Sequence, residues 1–197
     1  MVRILEPTWK SFVARTTDVP VLTPEECKTM IEIGRSEPMK EAEIFGGEKP
    51  EIARNKEIRI SHISWIPFTD KARPMYQKIE QVMHNINNNH FGFENMEITE
   101  QAQYTEYPVG GHYNWHIDTS TYMKDAPPVR KISMTLILSE DHEYEGGDLH
   151  LLENKAGTRV APGHAIFFAS FIRHKVAPVT KGVRKSLVMW FGGTPFK

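Results

Sequence analysis

The residues that could do chemistry in this chain begin with a histidine and an aspartate two positions apart, His116 and Asp118. Side chains two positions apart on a β-strand point to the same face, so this pair can hold one metal ion together. A second imidazole, that of His174, follows 56 residues after Asp118 and completes a set of two nitrogens and one oxygen. Such a set on one face of an ion leaves the opposite coordination positions open, as in non-haem Fe(II) oxygenases. The spacing therefore predicts a metal site at which a reductant and dioxygen could bind.

Further motifs surround these ligands in a fixed order. Residues 104–118 form a tyrosine-rich segment that contains the first two ligands, and Gly182-Val183-Arg184 ends ten residues beyond His174. Between them lie Arg130-Lys131-Ile132-Ser133, Tyr144-Glu145-Gly146-Gly147-Asp148-Leu149 and Pro162-Gly163. This ordered series resembles the 2-oxoglutarate- and Fe(II)-dependent dioxygenases, especially the branch of prolyl 4-hydroxylases and bacterial PKHD-type hydroxylases. The resemblance covers residues 100–193 and is looser in the N-terminal half.

The resemblance implies a role for each residue of the site. His116, Asp118 and His174 would bind Fe(II). Arg184 would be the basic residue that meets the distal carboxylate of 2-oxoglutarate in the family. A planar guanidinium suits that role because it grips a carboxylate with two parallel hydrogen bonds and stays charged. Tyr107 matches a tyrosine whose hydroxyl contacts 2-oxoglutarate in the prolyl hydroxylases.

Alternation along the last predicted strand adds two candidates. Arg184, Ser186 and Trp190 share one face of that strand, because side chains alternate between faces. If Arg184 faces the cavity, Ser186 could donate to the same carboxylate, or it could be a core hydroxyl with another partner. Trp190 would wall the substrate pocket near the iron, or would simply belong to the core. A salt bridge at the rim is the alternative interpretation of Arg184.

The resemblance also implies an enzyme, a procollagen-proline 4-dioxygenase-like oxidoreductase. It would use Fe(II), 2-oxoglutarate and O2, with ascorbate as a candidate reductant. It would release succinate and CO2 while it hydroxylates an unactivated C–H bond. The carboxylate of Asp118 favours hydroxylation, because family members that halogenate have lost it.

The sequence leaves the identity of the substrate open. Peptidyl proline is the first expectation, and a free amino acid or another small metabolite is the alternative. A metal-binding, cupin-like protein without turnover is the alternative from a different class. Arg184 and Tyr107 argue against that alternative, since a bare metal site has no need of a buried carboxylate clamp.

Composition narrows the expected partners and location. The 197 residues carry a formal net charge of −1, which gives no electrostatic indication of nucleic-acid binding. The single cysteine, Cys27, cannot form an internal disulfide, which suits a reducing compartment. The chain opens without a signal-like segment, and its longest apolar run is too short to cross a membrane. We therefore expect a cytoplasmic protein that acts on a peptide or small molecule, with no nucleic acid or membrane as partner.

The helical patterns lie in the N-terminal half. Thr23-Pro24-Glu25-Glu26 predicts the start of a helix, and Gly34 predicts its C-terminal stop. Apolar residues at helical spacing predict a second helix over about residues 70–88, with Asn87-Asn88-Asn89 at its end. Residues 58–66 alternate in period two and predict an early strand.

From residue 97 onward the sequence predicts short strands and turns, such as a buried strand over Ala165–Phe171. The fold class expected is mainly β with α-helices. The resemblance sharpens this to a double-stranded β-helix, or jelly roll, covered by N-terminal helices. One domain over residues 1–197 is expected, with the helical cover at about 1–95 and the jelly-roll core at about 96–197.

Two further expectations concern the arrangement of the site. A simple hairpin would pair His174 with Arg184 directly, whereas the resemblance puts them on facing sheets with 2-oxoglutarate between. Residues 41–56 and 119–130, marked by glycine or proline, are interpreted as loops that handle substrate, or as plain surface connections. The remaining motif-free histidines are expected to be ordinary: His62, His112, His142, His150 and His164.

Overall fold

A computed structural model describes residues 11–42, 55–119 and 128–194 of the chain. In these ranges the α-helices are α1 (Pro24–Ser36) and α2 (Arg73–Ile86). The strands are β1 (Val13–Arg15), β2 (Lys40–Glu41), β3 (Arg59–Ile60), β4 (His62–Ile66), β5 (Glu97–Ile98), β6 (Ala102–Tyr107), β7 (His112–His116), β8 (Val129–Ile137), β9 (Tyr144–Gly146), β10 (Leu149–Leu151), β11 (Ala165–Ala169), β12 (His174–Val176), β13 (Val179–Gly182) and β14 (Arg184–Gly193). The expected loop segments 41–56 and 119–130 lie largely outside the described residues.

The strands form two main antiparallel sheets. The large sheet has the order β1-β11-β8-β14-β6-β4-β2, with β5 paired to β14. The small sheet has the order β10-β12-β7-β3, and β9 pairs with β13 separately. Side chains of both main sheets line a common cavity, so the cavity lies between them. The predicted mainly β fold with a jelly-roll core is confirmed, and His174 and Arg184 lie on different sheets rather than in one hairpin.

Helix α1 starts where the sequence predicts and ends later. The Thr23 hydroxyl accepts a hydrogen bond from the Glu26 backbone N–H, and the Glu26 carboxylate accepts one from the Thr23 N–H. The prediction that Gly34 stops the helix is wrong, because the helix continues to Ser36. Gly34 serves packing instead: a Cβ there would lie 2.4 Å from Cγ of Tyr104 on β6. Its missing side chain lets α1 approach the large sheet.

The run Asn87-Asn88-Asn89 does not end the second helical segment, although the sequence predicts that it does. The α-helix stops at Ile86, but Asn87–Phe91 continue as a π-helical turn that ends at Gly92 with φ of 72°. The Asn87 side chain accepts from the Phe93 N–H at 2.9 Å and donates to the Phe93 carbonyl at 2.8 Å. These two bonds supply the backbone groups beyond the helix end with partners.

The strand predicted over residues 58–66 is divided at Ser61. Its first part, β3, pairs with β7 of the small sheet, whereas β4 pairs with β6 of the large sheet. This crossing brings Arg59 to the small sheet and Trp65 to the large one. The first 95 residues therefore contribute strands to both sheets in addition to the two helices.

The core lies between α1, α2 and the large sheet and continues into the space between the sheets. Buried apolar residues of α1, α2, β6, β8, β11 and β14 belong to one contiguous cluster. Strand β11 is buried along its whole length, as predicted, but it ends at Ala169, and Phe171, the predicted end of the buried strand, is exposed. No helix of the described residues is long and apolar enough to span a bilayer.

Candidate metal centre and cosubstrate pocket

The three predicted metal ligands meet on the small sheet. His116 ends β7 and lies opposite His174 of β12 in the strand register. Asp118 follows β7, and its N–H donates to the Ser170 carbonyl at 2.9 Å. The ligand atoms of the two histidines and the aspartate all lie within 4.8 Å of one another. Each Nε2 is 3.5 Å from a different carboxylate oxygen of Asp118. The set therefore converges on one point.

Both imidazoles are turned so that Nε2 faces this point. Nδ1 of His116 is 2.7 Å from the Asn114 carbonyl oxygen, and Nδ1 of His174 is 3.0 Å from that of Ile172. A carbonyl only accepts, so each Nδ1 carries a proton, and each Nε2 is the ring nitrogen that is turned toward the ligand cluster. Hydrogen bonds of this kind fix the tautomer and ring orientation of metal-binding histidines.

The charges of the cluster also suit a cation. Burial, followed by the neighbouring His174, lowers the pKa of His116 to about 3, so its ring is neutral at physiological pH. Burial alone would raise the pKa of Asp118. The neighbouring His174 and the Ser133 hydroxyl, which donates to Asp118 Oδ2 at 2.7 Å, outweigh burial and lower this pKa. A carboxylate with two imidazoles is a donor set suited to a divalent transition metal.

A second hydrogen-bonded chain holds the aspartate. The Ser133 hydroxyl on β8 donates to Asp118 Oδ2 and lies 3.0 Å from the Ser170 hydroxyl. Because Ser170 also accepts from the Asp118 N–H, side chain and backbone of this ligand are tied to one pair of serines. Ser133 belongs to the Arg130–Ser133 motif, but the sequence did not indicate this role.

The predicted carboxylate clamp is buried deep in the large sheet. Arg184 is 2% exposed and lies opposite Tyr107 in the register of β14 and β6. Its Nη1 donates to the Ser186 hydroxyl at 3.0 Å, and its guanidinium carbon is 5.4 Å from the Tyr107 ring centroid. Its side chain passes close to Gly147, where a Cβ would lie 2.8 Å from Arg184 Cδ.

The guanidinium of Arg184 has spare capacity for an anion. Nε of Arg184 is buried and has no hydrogen-bond partner among the described residues. In the same ranges no carboxylate lies within 4.0 Å of this guanidinium. A buried, uncompensated cation is unfavourable, so the arrangement fits a ligand that brings a carboxylate. A rim salt bridge, the alternative interpretation, does not match this burial.

Trp190 and Tyr107 line the cavity that contains the metal ligands, together with Val188 of the same strand face as Arg184 and Trp190. Trp190 is 7% exposed, and its buried Nε1 makes no hydrogen bond within the described residues. The Arg130 guanidinium stacks over the indole at 3.9 Å and pairs with Glu100. Ser186 is fully buried and contacts Arg184.

Polar cavity residues that the sequence did not indicate include Arg59, Gln103 and Tyr113. The Tyr113 ring stacks on His116 with centroids 3.5 Å apart, and burial raises the Tyr113 pKa to about 12. Tyr113 stands in the tyrosine-rich segment 104–118, which was the available signal for it. The other two come from β3 and β6, and no motif marks them.

Comparisons with known proteins agree with this geometry. Residues 102–192 match the family profile described as 2OG-Fe(II) oxygenase superfamily. A PKHD-type hydroxylase of Parvibaculum lavamentivorans is 37% identical over 94 residues, which cover 45% of this chain and 41% of the relative. A PKHD-type hydroxylase of Aliarcobacter butzleri is 37% identical over 93 residues, covering 44% and 41%. The chain thus spans about two-fifths of the length of these curated relatives.

Solved structures share the fold over nearly the whole chain. A prolyl-4-hydroxylase of Pseudomonas putida superposes with a TM-score of 0.68 at 21% identity and covers 94% of both chains. The viral collagen prolyl hydroxylase of Paramecium bursaria Chlorella virus-1, solved as a 2OG complex, superposes with a TM-score of 0.68 at 16% identity. The superposition covers 94% of this chain and 97% of the viral chain. At this level of identity the likeness concerns the fold.

The fold and the convergent ligands define a jelly-roll protein with a facial two-histidine, one-carboxylate centre. Residues 102–192 of the chain match the 2OG-Fe(II) oxygenase superfamily, and the curated relatives that are 37% identical over this region are PKHD-type hydroxylases.

Proposed function

We propose that this protein is a 2-oxoglutarate-dependent dioxygenase that hydroxylates an unactivated C–H bond. The observation that carries the proposal is the pairing of two features in one molecule. The first is the facial set of His116, Asp118 and His174, with both Nε2 atoms free. The second is the buried Arg184, which has no acidic partner among the described residues. Metal storage or structural metal binding explains the first feature and leaves the second without a purpose.

The residues present fit Fe(II) and 2-oxoglutarate. His116, Asp118 and His174 would hold the metal, while Arg184, Ser186 and Tyr107 would hold the distal carboxylate. Fe(II) with 2-oxoglutarate supplies the reductive activation of O2, with succinate and CO2 as products beside the hydroxylated substrate. Ascorbate is the reductant to include in assays.

The protein's own contribution is orientation and exclusion of water. The serine pair Ser133 and Ser170 keeps the Asp118 carboxylate turned toward the imidazoles. Trp190 and Val188 form an apolar wall of the cavity, where a C–H bond can lie without displacing polar groups. A rigid, mostly apolar enclosure favours one substrate orientation over others.

Peptidyl proline is the first substrate to test, and the protein would then be a prolyl 4-hydroxylase-like enzyme. Support comes from structures of the same fold, among them the prolyl hydroxylase of Trichoplax adhaerens in complex with a hypoxia inducible factor peptide fragment. The superposition on that structure covers 93% of this chain and 84% of the Trichoplax chain, with a TM-score of 0.67 and 16% identity. A free amino acid or other small metabolite is the second candidate. Its support is Arg59, a cation of the cavity that has no acidic partner among the described residues.

The decisive experiment measures turnover with defined components. Purified protein is supplied with Fe(II), ascorbate, 2-oxoglutarate and a panel of proline-containing peptides, free amino acids and blocked amino acids. We expect succinate release that depends on substrate, together with one added oxygen atom in the substrate by mass spectrometry. Tight metal binding without 2-oxoglutarate binding would instead support the non-catalytic, cupin-like alternative.

A further inference from the structure

A second arginine, Arg59, reaches the cavity from the opposite sheet. Arg59 lies on β3, which pairs with β7 next to the metal ligands. Its side chain lines the same cavity as His116, Asp118 and His174. Its guanidinium carbon lies 4.5 Å from the centroid of the Tyr113 ring, the ring that stacks on His116. The Tyr113 ring therefore contacts both the Arg59 guanidinium and the metal-ligand candidate His116.

Among the described residues, the groups that hydrogen-bond to this guanidinium are neutral. Nε of Arg59 donates to the Ser61 hydroxyl at 2.8 Å, and Nη2 donates to the Gln103 side-chain oxygen at 3.0 Å. No carboxylate of the described residues lies within 4.0 Å of Arg59, whereas Arg130, which stacks on the cavity residue Trp190, pairs with Glu100. The hydrogen bonds to Ser61 and Gln103 fix the orientation of the guanidinium and leave Nη1 to donate to a ligand.

The position of Arg59 separates it from the proposed 2-oxoglutarate clamp. Its partner Gln103 lies opposite Val188 in the register of β6 and β14, and Arg184 lies four residues earlier on β14. Four residues of extended strand span about 13 Å. The partner of Arg59 and the clamp residue Arg184 therefore lie at different positions along the large sheet, and an anion at the position of Arg59 would be favoured by its positive charge.

The net charge of the site also favours a bound anion beside Arg59. A divalent metal with Asp118 leaves one positive charge, and Arg184 and Arg59 add two more. The two carboxylates of bound 2-oxoglutarate compensate two of these three charges. One positive charge remains at the Arg59 side, where a monoanion would be electrostatically favoured.

We propose that Arg59, oriented by Gln103 and Tyr113, binds a carboxylate of the primary substrate, which makes the substrate class an amino-acid-like carboxylic acid. This inference rests on the proposed function and adds the substrate class to it. A peptide bond in the interior of a chain offers only a neutral carbonyl at this place. A free or N-blocked amino acid, or a carboxy-terminal residue, offers the anion.

The test compares each acid with its uncharged counterpart. Protein loaded with Mn(II) and 2-oxoglutarate is titrated by calorimetry with N-acetyl amino acids and with the matching N-acetyl amino acid amides, proline among them. We expect at least one acid to bind about tenfold to hundredfold more tightly than its amide, the range typical of a hydrogen bond to a charged group. Absence of binding by every acid, or equal binding of acid and amide, would contradict the proposal.

Variants assign the preference to Arg59. Arg59→Gln keeps a polar side chain but removes the charge and should abolish the preference for the acid, while Arg59→Lys should keep part of it. Arg73→Gln, at an exposed arginine that pairs with Asp70, is the matched control and should bind like the wild type. An unchanged acid preference in Arg59→Gln would overturn the assignment.

Binding of 2-oxoglutarate to the same samples separates this inference from the proposed function. If the wild type binds the metal and 2-oxoglutarate but shows no acid preference, only the carboxylate subsite fails. If the wild type binds no 2-oxoglutarate, the proposed function fails. A loss of 2-oxoglutarate affinity in Arg59→Gln would instead assign the cosubstrate carboxylate to Arg59 and reject it as a substrate contact.

Discussion

The two main sheets hold the site in different ways. Central strands β8 and β14 of the large sheet are buried almost throughout, and they carry Ser133, Arg184 and Trp190. Strands β7 and β12 of the small sheet are only five and three residues long, β7 is partly exposed, and they carry His116 and His174. The large sheet positions its residues by packing on both faces. The small sheet positions the imidazoles by hydrogen bonds to nearby backbone carbonyls.

This difference predicts how each half of the site responds to substitution. A buried guanidinium held by packing should lose ligand affinity when truncated, and part of the protein's stability with it. A metal ligand at the end of a short strand should lose metal affinity with less damage to the fold. The predictions below test this contrast, from the largest expected effect to the smallest.

Removing a metal ligand should have the largest effect. His174→Ala or His116→Ala should lower Fe(II) or Mn(II) affinity by more than the roughly 100-fold that loss of a supporting residue can cost, and should abolish turnover. Calorimetric titration with Mn(II) and succinate release measure the two effects. His150→Ala, on β10 of the same sheet, removes an exposed imidazole and should change neither. Turnover retained in either ligand variant would rule out the proposed metal set.

Truncating the clamp should come next. Arg184→Ala should weaken 2-oxoglutarate binding by about 2–5 kcal/mol, because it removes a buried, charge-assisted contact. Arg184→Lys should be intermediate, since the charge stays but the fork geometry is lost. Titration of the Mn(II)-loaded protein with 2-oxoglutarate measures both.

The control for Arg184 is a cation at the surface. Lys181→Ala breaks an exposed pair with Glu145 and should bind 2-oxoglutarate normally. Thermal unfolding of each variant shows whether it is folded. Normal 2-oxoglutarate binding by folded Arg184→Ala would mean that another cation, with Arg59 the first to test, holds the carboxylate.

The sequence predicted the parts of the site that lie in short motifs and missed those that need tertiary contacts. His116 and Asp118 are two residues apart, and the alternation of β14 placed Arg184 and Trp190 on one face. The position of Arg59 in the cavity was not predicted. It depends on the division of the strand predicted over 58–66 between the two sheets at Ser61. Period-two alternation gives the face of a strand, but it does not give the sheet to which each part belongs.

The helices show the same limit. The capping box at Thr23 and Glu26 is local, and the start of α1 was predicted correctly. The sequence predicts a helix stop at Gly34, since glycine is common at helix C-termini. Its actual role depends on Tyr104, 70 residues away in sequence, and no local pattern contains that contact.

Gly34→Ala tests whether close packing stabilises the large sheet separately from the site. The added methyl would meet the Tyr104 ring at 2.4 Å, and overpacking of this kind costs about 1–3 kcal/mol. We expect a lower midpoint of thermal unfolding with Mn(II) affinity unchanged in the folded protein. Lys28→Ala, at an exposed position of the same helix, is the control. Equal stability of Gly34→Ala and the wild type would mean that the helix shifts at no cost.

The smallest predicted effect concerns the link between the two sheets. Ser133 is a large-sheet residue whose hydroxyl donates to Asp118, so Ser133→Ala should weaken metal binding about 10–100-fold without removing a ligand. Ser139→Ala is the matched control, because Ser139 is another buried serine, bonded to the backbone of Val183 and Lys185. Both variants should lose comparable stability, and only Ser133→Ala should change the Mn(II) titration. Equal Mn(II) affinities in the two variants would show that the small sheet orients Asp118 unaided, through its backbone bond to Ser170.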